Sequence, residues 1–136
     1  MSCVARNPDA HVDTLALIAF ADRSDSHHAL FARLFADPPR LVTSALVVAE
    51  GQSWFLRRYD QTRALMFLAL VEDLHPLSIV DAGAPDVKAA SALLCSDQRL
   101  TLTDAVGLHL MQIRRIQTCW PTDRHLGLTG VPLVID

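Results

Sequence analysis

Lysine is almost missing from this chain. Lys88 is the only one among 12 basic residues, against 15 acidic ones. The basic excess of a non-specific nucleic-acid binder is therefore absent, and any polynucleotide contact has to come from local arginines. Cysteine is equally uninformative: Cys3, Cys95 and Cys119 are odd in number and lack CxxC or Cys/His spacing, which argues against a disulfide framework or a zinc site. No uninterrupted apolar run approaches the roughly 18 residues of a membrane span. The start, Met1 to Asp9, has no apolar core of the signal-peptide kind, so a cytoplasmic protein with no membrane contact is expected. The six histidines show no HxxxH or comparable ligand spacing, and no repeat or low-complexity tract interrupts the chain.

What remains is enough for one domain. A chain of 136 residues buries roughly two-thirds of its unfolded surface on folding, so a single domain over 1–136 is expected, with 1–9 a flexible N-terminal extension. Short β-like runs alternate with longer helical patterns. Strands are expected at Ala10–Asp13, Leu41–Thr43, Leu77–Val80, Ile116–Cys119 and Val131–Val134. Between them fall helices from Leu15 to Phe20, His27 to Ala36, Ser44 to Arg58, Gln61 to Asp73, Pro85 onward, and Thr101 to Arg114. With few hairpin signals, this alternation predicts an α/β fold: a parallel sheet of about five strands flanked by helices.

Four acids occupy positions where surface filler is a poor explanation: Asp13, Glu50, Asp104 and Asp123. Asp13 and Asp123 fall at or just after strand carboxyl ends, where ligands bind in such sheets. Glu50 lies three residues after Val47 and four before Trp54, on the helix stripe expected to face the core. Asp104 opens a helix. Buried carboxylates need a counter-charge, and no lysine or arginine is near enough in sequence to pair with all four, so a divalent cation with oxygen ligands is the economical partner. Setting those four aside leaves 11 acids against 12 basic residues, an almost neutral remainder.

Each acid also has a plainer reading. Thr101 and Asp104 have the spacing of a capping box, Asp13 could cap the helix after it, and Asp123 could be a turn residue before Arg124. Glu50 is hardest to dismiss, since an unpaired glutamate on an apolar stripe is costly. Asp97 reads as a loop residue beside Gln98 and Arg99, and His125 as a possible substrate contact two residues from Asp123.

Taken in order, His11-Val12-Asp13-Thr14, Val42-Thr43-Ser44, Ala49-Glu50, Gln98 to Ala105, and Thr122-Asp123-Arg124-His125 resemble the PIN domain family, and within it the VapC-type ribonuclease toxins of type II toxin-antitoxin modules. No single motif is specific; all four acids falling in register is. The resemblance implies that Asp13, Glu50, Asp104 and Asp123 form one catalytic cluster binding Mg²⁺ or Mn²⁺. It also implies endoribonuclease activity leaving 5′-phosphate and 3′-hydroxyl ends, a cognate antitoxin and a homodimer. Apolar residues broader than one stripe at Leu30, Phe31, Leu34 and Phe35, and at Trp54 and Phe55, are expected to leave surface for these partners.

Three residues depart from the family pattern: Leu15 where a small polar residue is frequent, Pro121 where Thr or Ser commonly precedes the last Asp by two, and Leu126 where Phe is usual. The alternative is thus a weak or inactive PIN-like module that binds RNA or protein without cleavage. Other acid-clustering folds fit worse. A receiver domain needs a lysine near its last strands, whereas Lys88 falls on a helix, and a haloacid-dehalogenase-type phosphatase needs DxD where this chain has Asp13-Thr14-Leu15.

Overall fold

A computed structural model describes residues 10–97 and 99–121. The expected fifth strand at Val131–Val134, the extension at 1–9, and Asp123, His125 and Leu126 lie outside the described residues.

Among the described residues four parallel strands form the sheet, in the order β3-β2-β1-β4. They are β1 (Ala10–Val12), β2 (Leu41–Ser44), β3 (Leu77–Val80) and β4 (Cys119–Trp120). Six helices connect them: α1 (Thr14–Ala21), α2 (His28–Ala36), α3 (Ala45–Arg58), α4 (Gln61–Asp73), α5 (Ala84–Ser96) and α6 (Leu102–Arg114). Parallel strands require crossovers, and the helices supply them on both faces. One core joins Ala10, Val12, Leu41 and Trp120 of the sheet to α1, α2, α3 and α4. A smaller one gathers Ala90, Ala105, Val106 and Leu110 between α5 and α6.

Local chemistry sets most boundaries. Ser44 caps α3 by accepting the Val47 N–H, and Asp60 caps α4 by accepting that of Arg63 (2.8 Å). Pro85 lies in the first turn of α5. Gly51 lets α3 approach α4 closely, since a Cβ there would collide with the Phe67 ring, which stacks on Phe55 at 5.1 Å.

The fourth strand starts later than its apolar residues suggest. Arg115 ends α6 in the left-handed region (φ 55°), and the chain aligns with β1 only at His11↔Cys119 and Val12↔Trp120. Ile116 is a buried core residue rather than a strand start. On α4 the buried stripe is Ala64, Phe67 and Val71, whereas Leu65 is exposed and Leu68 only half-buried.

The expected surplus of apolar surface is also corrected. Phe31, Phe35 and Phe55 are buried, and Leu30, Leu34 and Trp54 pack partly buried against the same core. Phe35 contacts both Phe20 and Trp120, with ring centroids at 4.5 and 5.2 Å. The exposed apolar residues are others, among them Leu15, Leu65, Met66, Ile79 and Ile113. No helix among the described residues is long and apolar enough to cross a membrane.

Candidate metal centre

Asp13 directly follows β1, at the carboxyl end of an inner strand. Its backbone is that of a helix N-cap, yet its carboxylate makes no side-chain capping bond to the second or third residue of α1. Burial first, and then the negative charges of Asp104 and Glu50, push the Asp13 carboxyl up to about 6, against partial support from the Thr14 backbone N–H. Asp13 therefore feels the charges of two acids that lie dozens of residues away in sequence.

Asp104 serves two ends. Its Oδ2 accepts the Thr101 N–H at 3.0 Å while Thr101 Oγ1 accepts the Asp104 N–H at 3.1 Å, a complete capping box. The same carboxylate, half-buried, raises both Asp13 and Cys119 electrostatically. The cap and the site are thus compatible readings of one residue.

Glu50 departs from expectation. Its side chain is exposed, because α3 buries the stripe Val47, Gly51 and Phe55. One residue is about 100° of helix turn, so Glu50, next to Gly51, falls beside that stripe and not on it. It still joins the acids, reaching Asp13 from the rim. Of the candidate ligands among the described residues, Asp13 and Asp104 are partly buried and Glu50 is exposed.

Among the described residues no basic side chain forms an ion pair with these acids. Among the described residues the ion pairs are His27–Asp25, Arg99–Asp97 and His109–Asp86. Asp97, held by Arg99 through both carboxylate oxygens, is the loop residue its sequence suggests. The acids also form no closed shell: among the described residues no three His, Cys, Asp or Glu side chains could hold one ion. The donors are nevertheless all carboxylate oxygens, which fit Mg²⁺ or Mn²⁺. A softer competitor is not on offer. Burial, with the charges of Asp13 and Asp104, pushes the Cys119 thiol up to about 12, so it stays protonated.

Two buried polar atoms border this neighbourhood without a hydrogen-bond partner, Thr14 Oγ1 and His11 Nε2. Leu15, beside them, is 53% exposed.

The family model of the PIN domain matches residues 10–125. The chain belongs to the PIN domain family. Among solved structures, this PIN domain is similar to Mycobacterium tuberculosis VapC20, described as a sarcin-ricin loop cleaving toxin, with a TM-score of 0.76 and 23% identity over 90% of this chain and 98% of that one. It is also similar to a chain of a toxin-antitoxin complex from Klebsiella pneumoniae, with a TM-score of 0.56 and 21% identity over 92% and 99%. No curated protein matches.

The sequence hid a second polar site in this PIN domain. Asp22, at the end of α1, is buried. It accepts the Ser24 N–H (3.0 Å) and hydroxyl (2.7 Å) at Oδ1 and the Tyr59 hydroxyl (2.9 Å) at Oδ2. Desolvation pulls this carboxyl upward, but the donors, with the charge of Arg63, hold it below the ordinary range. Asp22, Tyr59 and Arg63 rim a cavity of about 1010 Å³ walled by Phe20, Phe55 and Phe67. Asp-x-Ser is a local turn signal, but Tyr59 is 37 residues from Asp22, beyond the reach of spacing arguments. Two histidines behave as packing residues: His28 donates to the Ala19 carbonyl at 2.9 Å, and His109 ties α6 to Asp86 of α5 at 3.1 Å.

Proposed function

We propose that this PIN domain is a metal-dependent endoribonuclease, the toxin of a type II toxin-antitoxin pair. The observation that supports it most is that Asp13, at the carboxyl end of β1, is raised by the charges of Asp104 and Glu50 and has no basic partner among the described residues. Asp13 and Asp104 would hold Mg²⁺ or Mn²⁺ from opposite sides of the β1–α6 junction, with Glu50 closing the rim and Asp123 completing the set. Bound metal supplies positive charge at the scissile phosphate and acidifies water. The chain's own part is orientation: Asp104 is fixed by its capping box, whereas the Asp13 carboxylate is supported by the Thr14 backbone N–H. Cleavage leaves a 5′-phosphate and a 3′-hydroxyl.

A non-cleaving PIN module is favoured by one observation, that among the described residues no three acids, histidines or cysteines are grouped so as to hold one ion. Calorimetry with Mn²⁺ and an RNA cleavage assay separate the two. Saturable Mn²⁺ binding and cleavage that disappears with EDTA are expected; neither occurring would leave the inert module.

Two protein partners complete the reading, a cognate antitoxin and a second copy of the chain. The antitoxin would seat apolar anchors in the cavity beside the end of α3, among Phe20, Phe55 and Phe67, and offer an arginine to the acids, where a guanidinium can satisfy carboxylate oxygens in place of the cation. Blockade should then weaken as metal rises, while anchoring persists. Light scattering of the isolated protein at tens of micromolar should give the mass of a dimer; a monomer would end that part of the reading.

A further inference from the structure

Gly107 of α6 and His11 of β1 are fitted to each other. A Cβ at Gly107 would stand 2.9 Å from His11 Cε1 and 3.3 Å from its Nε2, closer than side chains normally pack. The imidazole is 2% exposed, with Nδ1 3.9 Å from Cys119 Sγ and Nε2 unpartnered. An unpaired polar nitrogen in the interior costs about 1–3 kcal/mol, and an aliphatic side chain on the strand would avoid that cost. Stability alone does not account for the histidine.

Its location does. His11 precedes Asp13 by two residues, so strand alternation carries both toward the same face. Gly107 follows Asp104 by three, one turn along the same side of α6. Cys119, the register partner of His11, feels the charges of both acids. The point where β1 and α6 touch thus lies one step along each element from the residue that carries its carboxylate. We propose that His11 is a positioning residue: its ring, seated against Gly107, sets the spacing of α6 from β1 and through it the separation of the Asp13 and Asp104 carboxylates. This rests on the reading of those two acids as metal ligands.

A methyl group at position 107 pushes α6 outward from the ring. Truncating the ring leaves a void into which α6 shifts. Either change misplaces Asp104 without touching a ligand, and residues that orient ligands typically alter metal affinity 10- to 100-fold. A methyl at 107 should be accommodated once the ring is gone, so the two substitutions should compensate.

The test measures Mn²⁺ affinity by calorimetry for the wild type, His11→Ala, Gly107→Ala and the double variant, with circular dichroism confirming folding in the same buffer. Each single variant is expected to bind about 10- to 100-fold more weakly, and the double variant to recover most of the Gly107→Ala loss. Folded His11→Ala with wild-type affinity overturns the inference, as does a double variant that binds no better than Gly107→Ala. If Gly107→Ala does not fold, the double variant decides: folding with near-wild-type affinity supports the spacing role, and folding without recovered affinity overturns it. Wild-type protein that binds no Mn²⁺ overturns the metal-site reading and this inference with it; intact wild-type binding with unaffected variants overturns this inference alone.

Discussion

Asp13→Asn is expected to abolish metal-dependent RNA cleavage and, with metal removed, to make the protein more stable by about 2–3 kcal/mol at pH 7.5. The activity loss follows from deleting the charge of a proposed metal ligand. The stability gain follows from the folded-state environment. Burial, Asp104 and Glu50 push this carboxyl from 3.8 up to about 6, and every tenfold change in proton affinity is worth about 1.4 kcal/mol between the two protonation states. At pH 7.5 the metal-free protein folds with that charge in place. Asparagine keeps the shape and removes the charge, so the thermal midpoint in EDTA should rise by several degrees. A plain structural aspartate would behave oppositely, because removing a satisfied carboxylate lowers stability. Chemical denaturation in EDTA beside a cleavage assay decides it. Unchanged cleavage by a preparation free of contaminating nuclease would sink the ribonuclease reading, and a lower metal-free stability would sink the electrostatic account of Asp13.

Much of this protein is legible in its sequence, because much of it is decided locally. Ser44, Asp60, Pro85 and Thr101 each mark a helix start by chemistry acting within a turn, and the alternation of strand and helix predicts the parallel sheet. Asp13 and Asp104 follow from the same local logic. What escapes is whatever depends on which neighbour packs where. Glu50 lies among apolar residues and is still exposed, because the face that α3 buries is chosen by its contact with α4 through Gly51 and Phe67. Trp120 outranks Ile116 as a strand residue because α6 must first unwind through Arg115. The Asp22–Tyr59 bond, the Asp86–His109 bond and the His11–Gly107 contact all join residues more than 20 apart in sequence. No periodicity announces them. Asp123 lies outside the described residues, so its place in the cluster rests on the family pattern.

His11 and Asp13 should give the metal-free protein two opposed pH dependences that nearly cancel. Burial lowers the His11 imidazole from 6.5 to about 4, so it contributes stability that is present above 6.5 and lost as the pH falls through 4. Asp13 moves the other way, from 3.8 up to about 6. Its contribution is fully present below 3.8 and lost as the pH rises through 6. Each of these displacements corresponds to about 3 kcal/mol, and the two windows overlap between roughly pH 4 and 6. Removing one group should therefore unmask the other. In Asp13→Asn, stability should fall by about 3 kcal/mol more than in the wild type as the pH drops from 6.5 to 4. In His11→Gln, stability should rise relative to the wild type over the same drop. Carboxylates held low by hydrogen bonds, such as Asp22, contribute the same background to all three proteins, so the difference from the wild type isolates the pair. Denaturant midpoints in EDTA at pH 4, 5, 6 and 7 give these slopes directly. Parallel profiles for the three proteins would mean that neither group is buried as described, whereas a crossing of the two variant profiles is what a neutral histidine beneath a strained carboxylate requires.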